Sequence, residues 1–77
     1  MTTIDKVKKL FAEQLSISED EITLESDIFQ DLHADSLDLY ILISSFNDEF
    51  GITVPDEEVK GLNTIGAIVE YIDSKIA

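Results

Sequence analysis

The chain has 77 residues, enough for one small domain, and 5 Lys with no Arg against 17 Asp and Glu leave a net charge of -12. No basic residue lies between Lys9 and Lys60, so little is available to neutralise a phosphate backbone, which argues against nucleic acid and anionic membrane surfaces as partners. There is no Cys for a disulfide or a thiolate metal site, and the longest apolar run, Leu39 to Ile43, falls far short of the roughly 20 residues a spanning helix needs.

The start, Met1 to Asp5, lacks a signal-peptide pattern, so we expect a cytoplasmic protein with no integral membrane segment. Acidity at this level opposes compaction, yet 44% hydrophobic residues, mostly Ile, Leu and Val at periodic positions, are enough to face a core. A domain this short buries only about 60 to 65% of its unfolded surface. Marginal stability, improved by salt or divalent cations, is therefore expected.

In chain order, Ile4, Val7, Leu10, Phe11 and Leu15 recur at three- and four-residue steps and predict a first helix. Thr2 or Thr3 can cap it, Asp5 lies in its first turn, and Lys6, Lys8 and Lys9 lie on its outer side. From Ser16 to Asp35 the periodicity breaks. The regular apolar residues Ile17, Ile22, Leu24, Ile28, Phe29 and Leu32 predict a long ordered loop anchored to the core, with a short helical turn at Glu19 to Ile22.

A second helix is predicted from Ser36 to Phe50, with Leu39, Leu42, Ile43, Phe46 and Phe50 on one face and Gly51 as its stop. Ile52 to Val54 reads as an extended link, and Pro55 precedes a brief helical segment from Asp56 to Val59 before Gly61. Asn63 or Thr64 caps a last helix striped by Ile65, Ile68, Val69, Ile72 and Ile76. The sum is all-α: a small four-helix bundle, three longer helices and one short, in a single domain over residues 1–77, with the long ordered loop between helices 1 and 2.

Groups for catalysis are few. Ser36, His33 and Asp35 or Asp38 formally supply a Ser-His-Asp set, but they crowd into one stretch at an exposed helix start, without oxyanion donors or a water-excluding pocket. His33 reads as a polar loop residue, with a titrating switch as the alternative. The clusters Glu19 to Glu21 and Asp56 to Glu58 can screen cations, but the segment nearest to a calcium loop, starting at Asp31, lacks the required Gly and has Leu42 where the closing Glu belongs. No dedicated metal site is expected.

What remains is Asp-Leu-His-Ala-Asp-Ser-Leu-Asp, residues 31–38, where the loop meets the second helix. Capping by Asp35 or Ser36 explains the dipeptide alone. It does not explain a Ser at a helix start with carboxylates on both sides and an aliphatic core behind it. The segment resembles the modification motif of acyl carrier proteins, in which the Ser of Asp-Ser-Leu bears a phosphopantetheine arm. The likeness extends to Asp31-Leu32, Phe46, Glu49-Phe50, Ile52 to Glu58, Thr64-Ile65-Gly66 and Tyr71-Ile72, nearly the whole chain.

The resemblance implies a non-catalytic, free-standing carrier of the dissociated (type II) fatty acid synthase kind, bearing 4'-phosphopantetheine from coenzyme A on Ser36. A helix N-terminus tolerates a phosphodiester well, while Asp35 and Asp38 are expected to repel it and keep the arm in solvent. Implied partners are a phosphopantetheinyl transferase and acyl-transfer or fatty acid synthase enzymes with basic docking surfaces, met by a monomer. Asp35, Asp38, Asp48, Asp56 and Glu57 are the acidic docking candidates, with Leu37 as an apolar contact.

The chain departs from the family at His33, where Gly is usual, at Ile41 and Asn47, where acids are common, and at Ser44, often a larger apolar residue. Tyr40 and Ile41 therefore either cover an enlarged core or add an apolar docking face for a specialised partner set. Two alternatives stand beside the fatty-acid reading: a carrier for a polyketide, lipid or amino-acyl pathway, and an acidic helical interaction module with Ser36 unmodified.

Overall fold

The side chain of Thr2 accepts the Asp5 amide and the Asp5 carboxylate accepts the Thr2 amide, closing a capping box that starts α1 (Thr3–Leu15). The Thr2 amide, and after it the Thr2 hydroxyl, hold the Asp5 carboxyl below its ordinary range. The helix ends at Ser16, whose φ of 56° turns the chain into the left-handed region. The structure, a computed structural model, describes residues 2–76. Three further helices follow: α2 (Ser36–Phe50), α3 (Asp56–Val59) and α4 (Ile65–Ile76). The bundle is all-α, as the periodicity predicts, and Gly51 at φ 67° stops α2 where expected.

Phe11 of α1 and Phe46 of α2 meet at the centre, 5.8 Å between ring centroids, and Val7, Leu42, Ile65, Ile68 and Ile72 close around them. Ion pairing adds little: Lys6 reaches Glu49 at 3.6 Å on the surface, with its ammonium 5.5 Å from the Phe50 ring centroid. Ile76, predicted to continue the α4 stripe, is half exposed, because the last residue of the helix lies past the packed face. Among the described residues no helix is long and apolar enough to cross a membrane.

The loop between α1 and α2 is ordered, and its order comes from α4. The Ile28 amide donates to the Asn63 carbonyl at 2.9 Å, the Ile65 amide to the Ser26 carbonyl at 3.2 Å, and the Gly66 amide to the Leu24 carbonyl at 2.9 Å. Among the described residues an isolated antiparallel bridge pairs Asp27 with Thr64. Gly66 permits this approach, since a Cβ there would lie 3.0 Å from the Leu24 oxygen. Within the loop, Ser18 and Glu21 box the short 3-10 turn Glu19–Glu21, and buried Ser26 accepts the Thr23 amide at 3.0 Å. Asp27 accepts the amides of Phe29 and Gln30, and Asp31 accepts that of Asp27.

Ile22, Ile28 and Leu32 anchor the loop as predicted, and Ile17 packs partly buried against the core. Leu24 and Phe29 do not: each sits in a turn fixed by these polar bonds, and they remain 45% and 36% exposed. Short α3 is held by buried Val59 and by a hydrogen bond from the Tyr71 hydroxyl of α4 to the Glu58 carboxylate. That bond, followed by desolvation, pushes the Tyr71 phenol up to about 12.

Two outcomes follow from this packing. Ile28→Ala should cost roughly 2 to 5 kcal/mol in denaturant unfolding, like a helix core residue, whereas Leu24→Ala should stay within about 0.5 kcal/mol. The Tyr71 phenol titrates higher when folded, so its contribution to stability is intact below its ordinary value of 10.0 and is lost as pH rises towards about 12. Tyr71→Phe should abolish that alkaline loss, checked by melting temperature together with tyrosinate absorbance.

Candidate functional site

His33 occupies the left-handed region at φ 60°, which His tolerates better than most residues, so the chain takes the turn without a glycine. The turn is locked by the Ala34 amide, which donates to the Ile28 carbonyl at 3.0 Å, and buried Ala34 and Leu32 fix it to the core. Asp35 follows in extended conformation and caps α2. Its Oδ1 accepts the Asp38 amide at 2.8 Å, and Asp38 Oδ2 accepts the Asp35 amide at 3.4 Å. Gln14 of α1 donates to Asp38 Oδ1 at 3.4 Å and braces the cap from behind.

Asp35, not Ser36, is thus the N-cap. Ser36 becomes the first helical residue, exposed, with its hydroxyl outside the capping box. The cap uses the Asp38 amide and leaves those of Ser36 and Leu37 in the first turn, where the helix dipole favours an anion. Ser36 also lines a cleft of about 220 Å³ with Phe29, Leu39, Tyr40, Val59, Lys60 and Asn63. His33 lines a different cleft, with Ile17, Glu21, Asp31 and Leu32, so the two residues of a hydrolytic set are not brought to one cavity.

The other candidates lie along α2 and at the start of α3. Leu37, Tyr40 and Ile41 are 68%, 46% and 42% exposed, and with exposed Ser44 and Asp48 they recur at helical spacing along α2. Tyr40 and Ile41 therefore do not enlarge the core. Asp35 and Asp38 stand at the head of this stripe, Asp38 half-buried, and exposed Asp56 and Glu57 open α3. Sequence reading missed Phe29, Lys60 and Asn63 beside Ser36. The one available signal was that Lys60 is the sole basic residue between Lys9 and Lys75.

A free hydroxyl, first-turn amides and an adjoining cleft with a cation fit a phosphodiester-linked arm. Comparison with known proteins agrees. The family model described as the phosphopantetheine attachment site matches residues 5–72. Acyl carrier proteins from Clostridium perfringens strains SM101 and 13 are each 48% identical over 68 residues, 88% of this chain and 90% of theirs. A solved structure of acyl carrier protein from Enterococcus faecalis superposes with a TM-score of 0.82 at 35% identity, over 97% of this chain and 99% of that one.

The fold and site thus define a phosphopantetheine-attachment domain. Within that class the chain belongs to the acyl carrier proteins, whose domain bears covalent 4'-phosphopantetheine and whose role is that of a carrier.

If Asp35 is the cap, Asp35→Ala should destabilise the fold by about 1 kcal/mol, while Ser36→Ala should leave it within about 0.5 kcal/mol. Thermal melts of the two variants check this, and equal losses would return the capping role to Ser36.

Proposed function

We propose that Ser36 takes the 4'-phosphopantetheine arm and that the chain, as a single carrier domain, delivers acyl groups to the enzymes of dissociated fatty acid synthesis in the cytoplasm. One observation carries this: an exposed Ser hydroxyl at the first position of α2, relieved of capping by the residue before it. When bound, the arm supplies a thiol that holds acyl groups as thioesters, and this chain, without Cys, has no competing thiol. The chain's own residues present the attachment oxygen, hold it at a rigid helix start and set the charge around it. The chain itself catalyses no step.

The core supports a sequestering role. It is almost wholly aliphatic and aromatic, with Ser26 as its buried polar residue among those described, so parting the helices for an acyl chain strands few polar groups. Each buried methylene contributes roughly 0.8 kcal/mol.

Docking is proposed on the outer face of α2 and the start of α3. Asp35, Asp38, Asp48, Asp56 and Glu57 steer basic surfaces of the phosphopantetheinyl transferase and of the acyl-transfer and synthase enzymes. Leu37, Tyr40 and Ile41 add an apolar stripe between these acids, which favours partners whose basic surface encloses an apolar floor. The net charge of -12 supports a monomer, since like-charged copies repel.

Incubation with coenzyme A and a promiscuous phosphopantetheinyl transferase should raise the intact mass by one arm, and Ser36→Ala should abolish the gain. No gain in the parent chain would favour the unmodified interaction module. A gain that survives Ser36→Ala would place the attachment elsewhere.

A further inference from the structure

The loop between α1 and α2 carries a separate cleft of about 220 Å³, lined by Ile17, Glu21, Asp31, Leu32 and His33. It shares no residue with the cleft beside Ser36, and none of its lining belongs to α2 or α3. Its chemistry is divided. Buried Leu32 and half-buried Ile17 give an apolar floor, and exposed Glu21, Asp31 and His33 give a polar rim. Each carboxylate is held by one oxygen: Glu21 Oε2 accepts the Ser18 amide at 3.2 Å, and Asp31 Oδ2 accepts the Asp27 amide at 2.7 Å. The other oxygen of each is left for a donor from outside. Among the described residues the ion pair formed is Lys6 with Glu49, so no lysine of the chain sits against either carboxylate.

We propose that this cleft receives one arginine side chain of a docking partner. The inference rests on the reading of the chain as a carrier met by basic surfaces, and it adds a contact on the loop to those on α2 and α3. A guanidinium presents a planar fork of donors to two carboxylates and stacks on a ring, here the His33 imidazole, whereas an ammonium is a compact, strongly hydrated charge without a plane. Ile17 and Leu32 cover the methylenes of the same side chain. The volume is below the roughly 300 Å³ at which drug-sized sites begin, which suits a single long side chain. The bonds to Ser18 and Asp27, and the locked turn at His33, order the rim in advance, so less entropy is lost on binding. His33 stands three residues before Ser36, no more than about 11 Å of chain away, so a partner that works on the arm comes within reach. A glycine at this position would keep the floor and the carboxylates but remove the stacking face.

The experiment titrates the full chain, not yet loaded, with N-acetylarginine methylamide and with its lysine counterpart at low salt, following the His33 ring and the Ile17 and Leu32 methyl groups by NMR. The arginine probe should shift all three saturably and bind roughly two- to five-fold more tightly than the lysine probe. Glu21→Gln with Asp31→Asn should remove the saturable shift, Glu70→Gln should leave it unchanged, and His33→Gly should erase the preference for arginine. Shifts that do not saturate, equal binding of the two probes by the parent, or an equal loss in Glu70→Gln would overturn the arginine site. Because the probes need no arm, the result is read apart from Ser36 loading: a filled cleft in a chain that gains no mass from coenzyme A would overturn the carrier reading, and a silent cleft in a chain that loads would overturn the arginine site alone.

Discussion

The hydrogen bonds between Asp35 and Asp38 are the constraint from which the site follows. A helix start needs an acceptor for its free amides, and a serine there normally spends its oxygen on that task. With Asp35 as the acceptor, the cap moves back one residue and Ser36 passes into the first turn with its oxygen available. The cap is not a local accident. Gln14 holds Asp38 from α1, and the left-handed turn at His33, tied to Ile28, sets the angle at which Asp35 arrives.

The same economy runs through the chain and accounts for part of its acidity. Asp5, Glu21, Asp27, Asp31, Asp35 and Asp38 each accept a backbone amide. These carboxylates serve as local structure in a chain whose long loop has little repetitive hydrogen bonding of its own. Where carboxylates do not suffice, the entry to α4 completes the loop: Asn63 accepts the Ile28 amide, and the first amides of α4 take the carbonyls of Leu24 and Ser26. The charge that makes the domain self-repulsive is thus partly the charge that folds it.

Helix boundaries were legible because each is marked by a residue with a single physical use: Thr2 at the first cap, Gly51 in the left-handed stop, Pro55 before α3, and Thr64, whose hydroxyl accepts the Ala67 amide at 3.1 Å. Ser36 stands out in the sequence through its motif, and the structure places it exposed at the first position of α2. The loop was legible as ordered but not residue by residue, because in Leu24 and Phe29 turn geometry overrides apolarity. The placement of Lys60 beside Ser36 and the bond from Tyr71 to Glu58 were not legible, although Lys60 stood out as an isolated lysine. Both depend on how α3 folds back across the bundle, and no local periodicity encodes that.

Tyr40 belongs to two surfaces at once, and this links them. Its side chain lines the cleft beside Ser36 and is also 46% exposed in the apolar stripe with Leu37 and Ile41. Any partner that covers the stripe therefore contacts the ring that walls the cleft beside Ser36, so contact with the apolar face of α2 and access to the Ser36 hydroxyl are coupled through one side chain.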